Sequence, residues 1–126
     1  MGLDMYARSV KPNLVTDIGE TTIGNIPDGS SSELFYWRKH PNLHGWMERL
    51  YRKKGGSQEF NLTHVKLTGD DLDALEKTVK AGGLPRTGGF FFGESDGSEK
   101  SQDLEFIAKA REALAAGNDV IYYAWW

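Results

Sequence analysis

A chain of 126 residues has the length of one ordinary domain and is long enough to fold around its own core. The absence of cysteine excludes disulfides, thiolate zinc sites and a cysteine nucleophile. No apolar run approaches the ~20 residues of a membrane-spanning helix, and the net charge of −3 argues against general affinity for nucleic acid.

The expected elements follow from periodicity and turn chemistry. Leu3 to Val10 alternates as a strand, with Leu3, Met5 and Ala7 on one side and Asp4, Tyr6 and Arg8 on the other. Leu14 to Ile26, broken by Gly19 and Gly24, reads as an irregular hairpin, and Pro27-Asp28-Gly29-Ser30 as a turn. Ser30 and Glu33 have the spacing of a capping box, which predicts a helix through Leu34-Phe35-Tyr36-Trp37. Pro41 cannot continue that helix but suits the first turn of a second one, running through Trp46, Met47 and Leu50 to Lys54 and stopped by Gly55-Gly56.

Phe60 to Leu67 is expected as a strand. Thr68 and Asp71 form a second capping-box pair, opening a helix with Leu72, Leu75 and Val79 on one face and Gly82-Gly83 at its end. Leu84 to Thr87 is an extended connection, and Gly88-Gly89-Phe90-Phe91-Phe92-Gly93 reads as a short strand buried on both faces. A polar loop from Glu94 to Lys100 precedes a helix carrying Leu104, Ile107, Ala110, Arg111 and Leu114. Val120 to Trp126 is the last strand, and its alternation sends Tyr122, Ala124 and Trp126 to one face and Tyr123 and Trp125 to the other. The expected fold is a single α+β domain over residues 1–126. It has one mixed sheet of about five strands, partly parallel through right-handed crossovers, with three to four helices packed on it.

Chemistry concentrates in Tyr36 to Trp46, where two Trp, two His, Arg, Lys and Asn fall within eleven residues. Polar groups of that density are costly to bury without partners, and two indoles are costly to expose, so a concave aromatic site with a few polar groups accommodates both. Trp37, Arg38, Asn42, His44 and Trp46, joined by Arg86, Thr87 and the terminal Trp125, are the expected ligand- or partner-binding residues; Arg38 and Arg86 would hold an anionic group while the rings supply apolar contact. His40 and His44 have the four-residue spacing of a metal pair, but Pro41 intervenes and no third ligand is marked, so the reading is against a metal. The glycine–phenylalanine block lacks the Lys-Ser/Thr of a phosphate loop, and no Gly-x-Ser-x-Gly elbow occurs. The balance is against an enzyme, and no cofactor is expected.

Met1-Gly2-Leu3-Asp4-Met5-Tyr6, Tyr36-Trp37-Arg38-Lys39 followed by Asn42, His44 and Trp46, Leu84-Pro85-x-Thr87 through Gly89-Phe90-Phe91-Phe92-Gly93, and a tyrosine-to-tryptophan C-terminus resemble a family of small phage and prophage proteins. Some members carry the label phosphoglycerate kinase, a two-domain enzyme far longer than 126 residues. The resemblance brings no established reaction. It is weakest from Lys11 to Asp28, and Ala124-Trp125 stands where the family has serines before the last tryptophan. It implies a phage-related protein acting in a bacterial cytoplasm.

Charge is unevenly distributed. From Glu33 to Lys54 six Lys/Arg face two acids, and from Glu94 to Asp119 seven acids face three bases, a polarity that suits a charged partner or self-association. The first expectation is a non-catalytic binding protein that modulates a host bacterial protein or defence system. The second is a small nucleotide- or anionic-ligand-binding protein or weak hydrolase with His44 as general base. The third, disfavoured by net charge, is a single-stranded nucleic-acid binder.

Overall fold

The computed structural model describes residues 3–20, 29–85, 87 and 99–126. The expected hairpin beyond residue 20, the start of the turn at Pro27, Arg86, the Gly88–Gly93 strand and the loop over 94–98 lie outside the described residues.

The architecture is α+β. Five strands, β1 (Asp4–Val10), β2 (Ile18–Glu20), β3 (Ser31–Arg38), β4 (Thr63–Leu67) and β5 (Asp119–Trp125), form one sheet in the order β2-β4-β5-β1-β3. Three helices accompany it: α1 (Pro41–Lys53), α2 (Gly69–Lys80) and α3 (Lys100–Ala115). The expected mixture of parallel and antiparallel strands is corrected: every pairing among the described strands is antiparallel. β5 enters between β4 and β1 and runs against both, so α2 and α3, which follow one another between β4 and β5, do not form the right-handed parallel crossover that requires two strands of the same direction.

All three helices pack on one face. Met5 and Ala7 of β1, Trp37 of β3, Val65 and Leu67 of β4, and Val120, Tyr122 and Ala124 of β5 form the core with Leu43 and Met47 of α1, Leu72 and Leu75 of α2, and Phe106 and Ile107 of α3. Strand alternation therefore decides which side chains meet the core and which turn away from the helices.

The predicted helix over Ser30–Trp37 is instead β3. Its backbone pairs with β1 from Val10↔Ser31 to Asp4↔Arg38, and its aromatic, half-buried composition suits a pleated surface more than a solvated helix. The capping-box spacing of Ser30 and Glu33 is a local signal, and the ladder that an eight-residue strand forms with β1 outweighs it. Leu34 is an extra residue opposite Ala7/Arg8, so Phe35 pairs with Ala7 and Glu33 with Arg8. Lys39, at φ 56°, turns the chain from β3 into α1 while its N–H donates to the Leu3 carbonyl at 2.8 Å.

Other expectations match. Pro41 occupies the first turn of α1. In α2 the Thr68 side chain accepts from the Asp71 N–H while the Asp71 carboxylate accepts from the Thr68 N–H. The helix after the acidic loop is α3, but its buried stripe is Asp103, Phe106, Ile107, Ala110 and Ala113, with Leu104 and Leu114 only partly buried. The stripe is shifted because its first member is a carboxylate, which an apolar pattern does not count.

Candidate functional site

Three consecutive residues of β3 separate the expected site. Trp37 points into the core and is 2% exposed, whereas its neighbours Tyr36 and Arg38 lie on the face away from the helices. The proposed convergence of Trp37, Arg38 and His44 in one hollow is thereby corrected: Arg38 is divided from the other two by the sheet itself.

Trp37 belongs to a buried polar chain. Its Nε1–H donates to Asp103 Oδ1 at 3.1 Å, and Asp103 Oδ2 lies 2.9 Å from His40 Nε2. Asp103 and His40 are 1% and 3% exposed, and Glu99 stands 3.9 Å from the other nitrogen of His40. With both carboxylate oxygens engaged, Asp103 fixes the indole of β3, the His40 residue that precedes α1, and the first turn of α3 relative to one another. A cavity of about 130 Å³ adjoins this chain, bordered among the described residues by His40, Asn42, Leu84, Glu99, Lys100 and Asp103. Asn42 Oδ1 accepts the Thr87 N–H at 3.0 Å, and a Cβ added at Gly45 would overlap the Thr87 side chain. Asn42 and Thr87 are thus brought together as expected. Their bond joins α1 to the segment after α2, and the described cavity border supplies no hydroxyl or thiol nucleophile.

His44 is sealed in the core at 1% exposure. Its Nδ1 is 2.8 Å from the Tyr122 hydroxyl, and its ring stacks on Phe60 at 5.1 Å. Burial lowers its pKa to about 4 and holds the Tyr122 phenol well above its ordinary range. The role of His44 as a general base is corrected on this ground: a base must reach the substrate's proton, and this imidazole has no solvent access. Among the described residues no group of three or more His, Asp or Glu could hold a metal ion, and His40 and His44 turn to different partners. Trp46 is half-buried on another side of α1, in a groove with Arg49 and Lys53.

The face away from the helices carries the remaining expected residues. Its side chains stand in four rungs across β3, β1 and β5: Arg38–Asp4–Trp125, Tyr36–Tyr6–Tyr123, Glu33–Arg8–Ile121 and Ser31–Val10–Asp119. The tyrosine rung is continuous. Tyr6 lies 5.3 Å from Tyr36 and stacks on Tyr123 at 5.1 Å with ring planes 18° apart. Tyr36 is 44% exposed and Trp125 60%. Tyr36 donates to Asp4 Oδ1 at 2.5 Å, and Arg38 lies 3.7 Å from the same oxygen. The hydrogen bond to Asp4 pushes the Tyr36 pKa up to about 12, and burial raises those of Tyr6 and Tyr123. All three phenols are protonated at neutral pH and can donate as well as accept.

Alternation had already separated Tyr122 and Ala124 from Tyr123 and Trp125, as found. Sequence reasoning missed Tyr6 and Tyr36 as partners of Tyr123, because their meeting depends on β1 lying between β3 and β5. It also missed Asp103, whose burial no local pattern signals.

The fold and this face define an α+β protein with helices on one side of an antiparallel sheet and an aromatic surface on the other. No family model, curated protein or solved structure matches the chain.

Proposed function

We propose that this chain is a non-catalytic binding protein that docks a partner protein on the tyrosine-bearing face of its sheet. The observation that carries the reading is the pair of exposed rings Tyr36 and Trp125 at the ends of a ladder whose half-buried Tyr6 and Tyr123 back them, large apolar rings with polar handles of the kind enriched at protein interfaces. The charges flanking the rings are balanced, Arg8 and Arg38 against Asp4 and Glu33, which favours a protein over a polyanion. The resemblance to phage proteins supports a bacterial host protein as partner and the host cytoplasm as the place of action. No helix among the described residues is long and apolar enough to cross a membrane.

The test is co-purification from the bacterial host with wild type, Trp125→Ala and Tyr36→Ser. A partner retained by wild type and lost by both variants, with unchanged thermal midpoints, supports the reading; a partner equally retained by both overturns it. Two further measurements separate the rivals. Concentration-dependent sedimentation abolished by Trp125→Ala would replace the partner with a second copy of the chain. Saturable binding of a single-stranded oligonucleotide, weakening steeply with salt, would replace it with nucleic acid.

A further inference from the structure

The groove between α1 and α2 lies apart from the tyrosine face and does not depend on it. Its described lining includes Trp46, Arg49, Leu50 and Lys53 of α1, Thr78 of α2, and Gly83 beyond it, around a volume of about 300 Å³. The four α1 residues fall at i, i+3, i+4 and i+7, the spacing of one helix face. Leu50 is buried, Trp46 is half-buried against the core, and Arg49 and Lys53 are exposed.

The two cations stand out by comparison with their neighbours. Arg52, one position round the helix, pairs with Glu48 at 3.4 Å, and Lys54 is held by Asp71 at 2.7 Å. Arg49 and Lys53 form no ion pair with any described residue, and the described lining contains no carboxylate. Like charges four apart on a helix repel. The negative end of α1 compensates Lys53, which lies in the last turn, but Arg49 precedes that turn. An indole and a leucine floor beneath two cations that pair with no described carboxylate offers apolar contact and an anion-binding fork within one small concavity.

We infer that this groove binds a small ligand with an apolar body and an anionic oxygen group, phosphoryl or carboxylate, held by Arg49 and Lys53 over Trp46. The probes are phenyl phosphate, phenylacetate and inorganic phosphate, titrated while the indole N–H resonance of Trp46 is followed by NMR. The expected result is a saturable shift with at least one aryl probe, tighter than with inorganic phosphate. Arg49→Gln/Lys53→Gln should weaken it about tenfold or more, as loss of charge-assisted hydrogen bonds requires, and Arg52→Gln should leave it unchanged. The tighter aryl probe identifies the anionic group. Absence of a saturable shift with all three probes overturns the inference, as does equal weakening by Arg52→Gln, which would reduce the effect to general charge attraction. Both cations are exposed and unpaired with described acids, so the double variant is expected to keep the wild-type thermal midpoint. Should it not, Arg49→Lys/Lys53→Arg, which keeps both charges, must retain binding within about threefold.

Discussion

The buried chain Trp37–Asp103–His40 and the open rung Tyr36–Tyr6–Tyr123 are built from similar material, aromatic rings with polar handles, and adjacent residues of β3 serve both. They differ in where their polar atoms are satisfied. In the buried chain each carboxylate oxygen of Asp103 has a protein partner. On the open rung Tyr36 leans on Asp4 while much of its ring meets solvent. The first arrangement spends both oxygens of Asp103 on holding elements together. The second costs the fold little to change, which is what a binding surface requires.

Substitutions sharpen this contrast. The largest effect is expected for Asp103→Ala, which leaves the buried Trp37 N–H without its acceptor and removes the carboxylate beside His40 Nε2, and should cost about 3–5 kcal/mol in urea denaturation. A cost below about 1 kcal/mol would mean that water replaces the carboxylate and that the cavity beside it is open.

Next is the pH dependence set by His44. Its pKa is near 4 when folded, against 6.5 for the free side chain, so the unfolded chain takes up a proton that the native state refuses. Stability is full above the unfolded value and falls as pH drops from about 6.5 towards 4, by roughly 3 kcal/mol. Urea titrations at pH 7 and pH 4.5 should show most of this loss in wild type, and a smaller loss in His44→Gln.

Gly45→Ala should cost about 1–3 kcal/mol, because the added methyl displaces Thr87 from α1 and breaks its bond to Asn42. The thermal midpoint measures it. If Gly45→Ala is neutral, the segment after α2 is free to move away from α1.

The smallest stability effects are expected on the open face. Trp125→Ala and Tyr36→Ser should each change stability by no more than about 1 kcal/mol, although partner binding depends on them. A loss comparable with that of Asp103→Ala would assign the tyrosine rung to structure and remove the contrast.

Local signals carried much of the fold. The alternation of Leu3 to Val10 and of Val120 to Trp126, Pro41 at the start of α1, and the Thr68–Asp71 box each act within a few residues, and each is found where the sequence puts it. The site was only partly legible. Asn42 and Thr87 meet, and Arg38 and Trp125 share a rung, but His44 is sealed, Trp37 is spent on Asp103, and Trp46 faces another groove.

What the sequence by itself determined is a set of short-range patterns: the alternation of β1 and β5 with the side each of their aromatics takes, and the Thr68–Asp71 cap of α2. Tertiary structure alone decided that Ser31 to Arg38 is a strand, that all the described pairings are antiparallel, and that Asp103 lies inside. The reason is distance along the chain. Trp37 and Asp103 are 66 residues apart, and the ladder that converts an apparent helix into β3 is donated by β1, between 21 (Val10↔Ser31) and 34 (Asp4↔Arg38) residues earlier in the chain. Hydrogen bonds that close over such separations leave no periodic trace in the residues that make them.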